Sequence, residues 1–169
     1  LHRVDRRQRQ MCIRDSNYTV KVTCQVLYNE KKDAIVTFEK GIYISSDTIN
    51  GNALIFNAGE INFKNASFHT TEQKWFDGCG TIVRNYPREA SGRINIYDGT
   101  NFENGYNTWS TIYGGTVNMY GGTITTIKQG GTGINADSVN IVGGTIKNFS
   151  EGIKAVSYTH LRAHETGRN

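Results

Sequence analysis

The chain has 169 residues, with one proline, nineteen glycines and a formal net charge of +4. This length suits one domain of ordinary size, and no run of residues approaches the ~20 apolar positions that a transmembrane helix needs. The composition is rich in Asn, Thr and Ile and poor in helix formers. It therefore favours a β-rich fold over a helical one.

Both ends of the chain differ in composition from the rest. Residues 1–16 carry five Arg and two Asp, and residues 157–169 carry two Arg and one Glu. The strings MCIRDS (11–16) and SYTHLRAHETGRN resemble translated sequencing-adapter read-through. We therefore expect both ends to be non-native disordered tails that flank a folded segment at 17–156. Taking their charges of +3 and +1 from +4 leaves zero for that segment, so nothing supports nucleic-acid binding.

Little catalytic chemistry remains between the two ends. Three of the four histidines lie in the end segments, which leaves His69. A single histidine argues against a Ser/His or Cys/His catalytic pair. Cys24 and Cys79 are too far apart in sequence for a zinc motif or a disulfide framework, so we expect no metal and no cofactor.

Strand patterns begin near residue 18. Alternating side chains from Tyr18 to Tyr28 predict one long half-buried strand. The segment 68–80 lacks a pattern, which predicts irregular structure. Gly59 and Gly80 each precede an apolar run and align with Gly99 as the start of earlier repeats. Shorter strands are predicted at 34–38, 42–44, 53–56, 61–63 and 82–83.

One short pattern returns three times in the second half of the chain, at 94–100, 117–123 and 139–145. The equivalent glycines, Gly99, Gly122 and Gly144, are 23 and 22 residues apart, with an insertion at 101–113. A period in this range predicts stacked repeats, each too small to bury its own apolar face. Alternation inside each repeat predicts short strands that end at a glycine turn. The predicted inward rows are Ile94, Val117 and Val139, and Ile96, Met119 and Ile141.

The sequence Gly-Gly-Thr-Ile at 121–124 and 143–146 carries a family resemblance. Residues 53–156 resemble the right-handed parallel β-helix proteins of bacterial surfaces, of the adhesin-like type. The resemblance implies an all-β solenoid with coils of about 22 residues, clearest at 93–156 and incomplete at one or both ends. It also implies an internal fragment of a secreted or cell-surface bacterial protein, joined to the rest of its parent chain, with an adhesive or structural role.

Outward positions of the repeats form a candidate glycan-binding surface. Aromatic faces pack on sugar rings, and amides hydrogen-bond to hydroxyl groups, so we expect a surface polysaccharide or other glycan as the partner. The alternative is that outward Asn and Tyr residues are ordinary β-surface side chains stabilised by stacking in rows. The candidate carbohydrate-binding residues are Asn95, Tyr97, Trp109, Tyr113, Asn118, Tyr120 and Asn140.

The alternative function is catalytic, because the resembled fold also carries polysaccharide lyases and glycoside hydrolases of the pectin-lyase-like class. A calcium-dependent lyase needs carboxylates at equivalent positions of neighbouring coils, and the repeats lack them. Arg84 and Arg88 match the lyase arginine motif only loosely. Asp98 and Glu103 are the nearest candidates for a hydrolase carboxylate pair, and both have the context of turn residues. The sequence therefore favours a non-catalytic role.

Overall fold

The computed structural model describes residues 10–13, 19–22, 27–45, 53–70, 81–85, 92–105 and 110–160. These residues form seventeen β-strands and contain no helix, so none of them belongs to a helix that could cross a membrane. The strands are β1 (Gln10–Ile13), β2 (Thr19–Val22), β3 (Leu27–Asn29), β4 (Ile35–Phe38), β5 (Gly41–Ser45), β6 (Ile55–Asn57), β7 (Glu60–Phe63), β8 (Ala66–Thr70), β9 (Val83–Asn85), β10 (Arg93–Ile96), β11 (Asn101–Asn104), β12 (Ser110–Tyr113), β13 (Thr116–Met119), β14 (Thr123–Thr126), β15 (Thr132–Ile141), β16 (Thr145–Lys147) and β17 (Glu151–His160).

All of these strands pair in parallel, and they wrap around a common core. From β1 to β12, each strand pairs with the third strand after it in the chain. This rule creates three faces: a first face of β1, β4, β7, β10 and β13; a second face of β2, β5, β8, β11, β14 and β16; and a third face of β3, β6, β9 and β12. The strand β15 turns the corner, because its beginning pairs with β12 and its end pairs with β13. The all-β prediction is thus confirmed, and the curled parallel sheet is consistent with a β-solenoid.

The register of the later strands agrees with the alignment of the repeats. Ile94 pairs with Val117, and Val117 pairs with Val139. All three side chains are fully buried, as the alternation predicts. Partners in adjacent strands of this face are 23 residues apart for Asn95 and Asn118 and 22 residues apart for Asn118 and Asn140.

The register corrects the alignment of the earlier repeats. Ile61 pairs with Ile94 on the first face, whereas Gly122 precedes a strand of the second face. Gly59 and Gly122 are therefore not equivalent. The physical reason is the spacing: Asn62 and Asn95 are neighbours although 33 residues separate them. A constant period of about 22 residues could not detect this step.

The core is aromatic in the first half of the structure and aliphatic in the second. The rings of Phe38 and Phe63 stack with centroids 5.5 Å apart, and those of Phe68 and Phe102 stack at 5.4 Å. Phe63 meets Phe102 edge to face at 4.9 Å, an arrangement that aromatic pairs prefer. Because Phe68 belongs to β8, the prediction of irregular structure from residue 68 is wrong at 68–70. Phe102 likewise belongs to β11, inside the predicted insertion.

A row of asparagines, half-buried at Asn29 and buried at Asn57 and Asn85, lies at the corner after the third face. Nδ2 of Asn29 donates to Oδ1 of Asn57 at 3.0 Å, and Nδ2 of Asn57 donates to Oδ1 of Asn85 at 3.1 Å. Nδ2 of Asn85 also donates to the carbonyl oxygens of Gly92 (3.0 Å) and Gly114 (2.7 Å). The asparagine amides thus satisfy one another, and Asn85 supplies the buried Gly114 carbonyl with a donor at this corner.

The glycine turns have the conformation that the sequence predicts. The φ angles of Gly99, Gly122 and Gly144 are +78°, +83° and +102°, values that a residue with a Cβ rarely adopts. Space is also limiting, because a Cβ on Gly122 would lie 2.7 Å from the carbonyl oxygen of Thr100. Turn geometry and close backbone approach together require glycine at position 122.

The structure differs from two of the sequence predictions near the chain ends. The segment from Tyr18 to Tyr28 is not one strand, because β2 pairs with β5 on the second face and β3 pairs with β6 on the third. Residues 23–26, between these two strands, lie outside the described ranges. The strands at 10–13 and 157–160 lie within the segments that we expect to be tails. A strand's geometry does not bear on where a sequence came from, so the non-native origin of both ends stays a prediction.

Candidate functional site

Four asparagines on the outside of the first face form a chain of amide hydrogen bonds. Nδ2 of Asn95 donates to Oδ1 of Asn62 at 2.9 Å. Nδ2 of Asn118 donates to Oδ1 of Asn95 at 2.8 Å. Nδ2 of Asn140 donates to Oδ1 of Asn118 at 2.9 Å. The structure thus brings together the three predicted asparagines and adds Asn62, which the repeat alignment missed.

These contacts use much of the hydrogen-bonding capacity of the asparagine amides. Nδ2 of Asn95 also donates to Oε1 of Glu60 at 3.2 Å, and the Asn95 residue is only 6% exposed. Oε2 of Glu60 in turn lies 3.8 Å from Nη1 of Arg93. A charged pair therefore lies beside the row at Asn62 and Asn95, whereas Asn118 and Asn140 have half-buried amides. The contacts of Asn95 therefore agree with the alternative interpretation, in which outward side chains stabilise one another within the row and bind no ligand.

The rings of Tyr97 and Tyr120 stack on each other where the same face ends. Their centroids are 5.1 Å apart and their planes differ by 16°. Nζ of Lys64 lies 5.8 Å from the centroid of Tyr97. Because β10 lies between β7 and β13, Lys64 and Tyr120 approach the Tyr97 ring from opposite sides. Both faces of Tyr97 are therefore in use, whereas Tyr120 is 45% exposed.

The Tyr97 hydroxyl is held in its protonated form. Burial is the main cause that raises its pKa above the ordinary value of 10.0, with further contributions from Tyr120 and Glu60. A protonated hydroxyl can donate as well as accept a hydrogen bond. Near neutral pH, Tyr97 therefore presents an uncharged hydroxyl group.

The remaining predicted residues do not join this surface. Tyr113 ends β12 on the third face, and Cζ of Arg84 lies 5.6 Å from the centroid of its ring. Trp109 lies outside the described residues. The sequence prediction therefore separates into a first-face group around Asn118 and Tyr120 and a third-face position at Tyr113.

Tyr113 lines a groove at the corner where β12, β15 and β17 run side by side. The cavity has a volume of about 210 Å³. The small residues Gly114, Ala136 and Ala155 occupy equivalent corner positions, directly after β12 and within β15 and β17. At the same corner the preceding strands β6 and β9 carry Asn57 and Asn85. The small residues account for the depression.

The rim of this groove carries three polar side chains of different chemistry. Asn135 pairs with Lys154 across the two strands, and Asp137 follows at the corner; all three line the cavity. Within the described ranges, none of these three side chains makes a hydrogen bond or an ion pair. An amide, a carboxylate and an ammonium group therefore remain open to a ligand beside the Tyr113 ring.

The acidic candidates of the sequence analysis lie elsewhere. On the second face, Oε1 of Glu103 is 3.1 Å from Nδ1 of His69. The Asp98 carboxylate covers Gly121, where an added Cβ would collide with it. Arg88 falls outside the described part of the chain. No cluster of three or more His, Cys, Asp or Glu side chains in the described ranges could hold a metal ion.

Most residues of the groove carry no local sequence signal. Asp137 has the pattern of a solvated turn charge, and nothing in its local sequence singles out Asn135 or Lys154. One sequence signal does relate the two strands: the dipeptide Gly-Ile occurs at 133–134 and again 19 residues later at 152–153. The hydrogen-bonded pair Thr132 and Glu151 has the same offset. Aligning these dipeptides brings Asn135 next to Lys154.

Relationship to known proteins was tested in three ways. Comparison of the chain with protein-family models, with curated proteins and with solved structures found no match. Surface geometry is therefore the guide to function, because a fold class alone hosts many functions.

Proposed function

We propose that the chain is a non-catalytic segment of a right-handed parallel β-helix from a secreted or cell-surface bacterial protein. Its coils contain about 22 residues where the repeats are regular. Its role is adhesive or structural, with a glycan as the bound partner. The offsets of 22 and 23 residues between bonded asparagines support this coil length.

The observation that carries the proposal is the continuous outer row on the first face. Asn62, Asn95, Asn118 and Asn140 align across four strands that are neighbours in the sheet. A stack of parallel strands repeats the same surface chemistry at intervals of about 4.8 Å. A polysaccharide also repeats its units along one direction, so many weak contacts can add up along such a surface.

The first face offers two kinds of contact to such a chain. The half-buried amides of Asn118 and Asn140 each retain an N–H, since the amide has two donors and the row uses one. Tyr120 contributes an exposed ring and hydroxyl group. Tyr97 stiffens Tyr120 by stacking rather than offering a free ring face. The contacts are weak individually, which suits adhesion through multiple repeats.

The test uses the full chain and immobilised plant, microbial and mucin polysaccharides, with and without calcium. Retained protein and newly formed chain ends are measured in the same samples. We expect retention on at least one polysaccharide with no new chain ends. Failure to be retained on any of them would contradict the glycan-binding role.

The alternative function is a polysaccharide lyase or a glycoside hydrolase. The contact of 3.1 Å between His69 and Glu103 favours it, because an imidazole next to a carboxylate can transfer protons. Under this alternative, the same assay yields new chain ends, and Glu103→Gln abolishes them. The proposed non-catalytic role predicts no difference between Glu103→Gln and the unchanged protein.

A further inference from the structure

We infer that the groove between β12, β15 and β17 binds one neutral sugar ring of a polysaccharide chain. This inference rests on the proposed glycan-binding function and names a site for it. The site is separate from the first-face row, because Tyr113 and Asn135 lie on the third face.

The size of the groove limits the ligand to a small unit. Its volume of about 210 Å³ is below the roughly 300–1,000 Å³ of pockets that enclose drug-sized molecules. One ring can enter while the rest of the polymer continues along the surface. The small side chains of Ala136 and Ala155 let the ring approach the backbone of the corner.

The Tyr113 ring supplies the apolar contact. Arg84 belongs to β9, and Asn135 belongs to β15, so these residues flank Tyr113 on opposite sides. The guanidinium of Arg84 covers one side of the ring. The other side borders the groove, where the C–H groups of a sugar can pack on it. Tyr97 differs, because both sides of its ring are already in contact.

The polar rim matches the hydroxyl groups of a sugar. The Asp137 carboxylate can accept hydrogen bonds from two adjacent hydroxyls, and the Lys154 ammonium can donate to sugar oxygens. The Asn135 amide can do both. Asp137 and Lys154 are exposed and Asn135 is half-buried. Within the described ranges these side chains have no hydrogen-bond or ion-pair partner, so a ligand need not displace one.

The charges of the groove favour a neutral sugar over an acidic one. Asp137 and Lys154 are the charged residues among those that line the cavity, and their charges cancel. A uronic acid would gain attraction from Lys154 but would meet repulsion from Asp137. A neutral ring uses both groups as hydrogen-bonding partners without that repulsion.

The experiment measures binding of the full chain to neutral oligosaccharides (cellohexaose, mannohexaose and xylohexaose) and to an oligogalacturonate. Asp137→Asn and Tyr113→Leu are compared with two control substitutions of exposed residues away from the groove, Asp33→Asn and Lys147→Gln. We expect wild-type affinity for a neutral oligosaccharide to fall roughly tenfold in each groove variant. The two controls should stay within about twofold of wild type.

Thermal unfolding of Asp137→Asn checks that the fold is unchanged, because the side chain is exposed. If the wild type binds neutral oligosaccharides and Asp137→Asn binds them equally well, the groove inference is overturned while the glycan-binding function stands. A preference for the oligogalacturonate that is lost in Lys154→Gln would overturn the choice of a neutral sugar. Absence of binding to every probe, together with no retention on the polysaccharide panel, would overturn both proposals.

Discussion

The rings of Tyr97 and Tyr120 lie 5.1 Å apart with their planes within 16° of parallel, on neighbouring strands of the first face. In this pair, contact between neighbouring parallel strands occupies side chains that the sequence pattern suggests for ligand binding. Replacing Tyr120 by Ala removes the aromatic pair, which contributes about 0.5–1.5 kcal/mol beyond its buried area. We expect the melting temperature to fall by about 1–6 °C. Val142→Ala, at an exposed position in the same row, is the control and should change it by less than about 2 °C.

The outer asparagine row should contribute measurably to stability. Asn118→Ala removes the bond that Asn118 donates to Asn95 and the bond that it accepts from Asn140. At about 1 kcal/mol for each hydrogen bond, the free energy of unfolding should fall by about 1–2 kcal/mol. Urea unfolding measures this free energy, and Asn101→Ala on the second face is the control. Equal stability of the two variants would show that the row is formed without contributing to the fold.

The buried row should be more sensitive than the outer one. Asn85→Ala leaves the carbonyl oxygen of Gly114 and an N–H of Asn57 without this buried partner. The carbonyl oxygen of Gly92 keeps the backbone N–H of Thr116. Each buried polar group left unpaired costs about 1–3 kcal/mol, so the loss of partner at these two groups should lower the free energy of unfolding by about 2–6 kcal/mol. The measurement is again urea unfolding. A loss below about 1 kcal/mol would mean that water replaces the amide.

Two glycine substitutions test which glycines the backbone conformation requires. Gly122→Ala forces a Cβ into a φ of +83° and to within 2.7 Å of the Thr100 carbonyl oxygen. We expect a loss of stability of about 1–3 kcal/mol. At Gly152 a Cβ would meet only Ile146, at an ordinary 3.8 Å. Gly152→Ala should therefore unfold at or slightly above the temperature of the unchanged protein, and calorimetry compares the two.

The raised pKa of Tyr97 predicts a change of stability at alkaline pH. Because burial, Tyr120 and Glu60 raise it, the folded protein keeps the hydroxyl proton to a higher pH than the unfolded chain. The stabilisation is therefore full below about pH 10 and is lost as the pH rises through the folded-state pKa. Tyr97→Phe lacks this group and should lose less stability between about pH 9 and pH 11. Parallel profiles of melting temperature against pH for the two proteins would contradict the assignment.

Much of the first face could be predicted from local sequence. The alternation around Ile94, Val117 and Val139 assigns inward and outward positions, because successive residues of a strand point to opposite sides. The same alternation predicts that Asn95, Asn118 and Asn140 share one side. It does not reveal that their amides bond to one another, since hydrogen bonding depends on the distance between coils. Nor does it reveal that the Tyr97 ring is enclosed between two neighbours.

The sequence by itself determined the β class, the glycine turns and the inward rows of the regular repeats, because alternation and glycine conformation are properties of a few adjacent residues. The tertiary structure decided which strands lie next to each other. Asn62 and Asn95 are neighbours across 33 residues, whereas Asn118 and Asn140 are neighbours across 22. The lengths of the connecting segments set these offsets, and no local pattern encodes them. For that reason only the folded chain brings Tyr113 and Asp137 to the same groove.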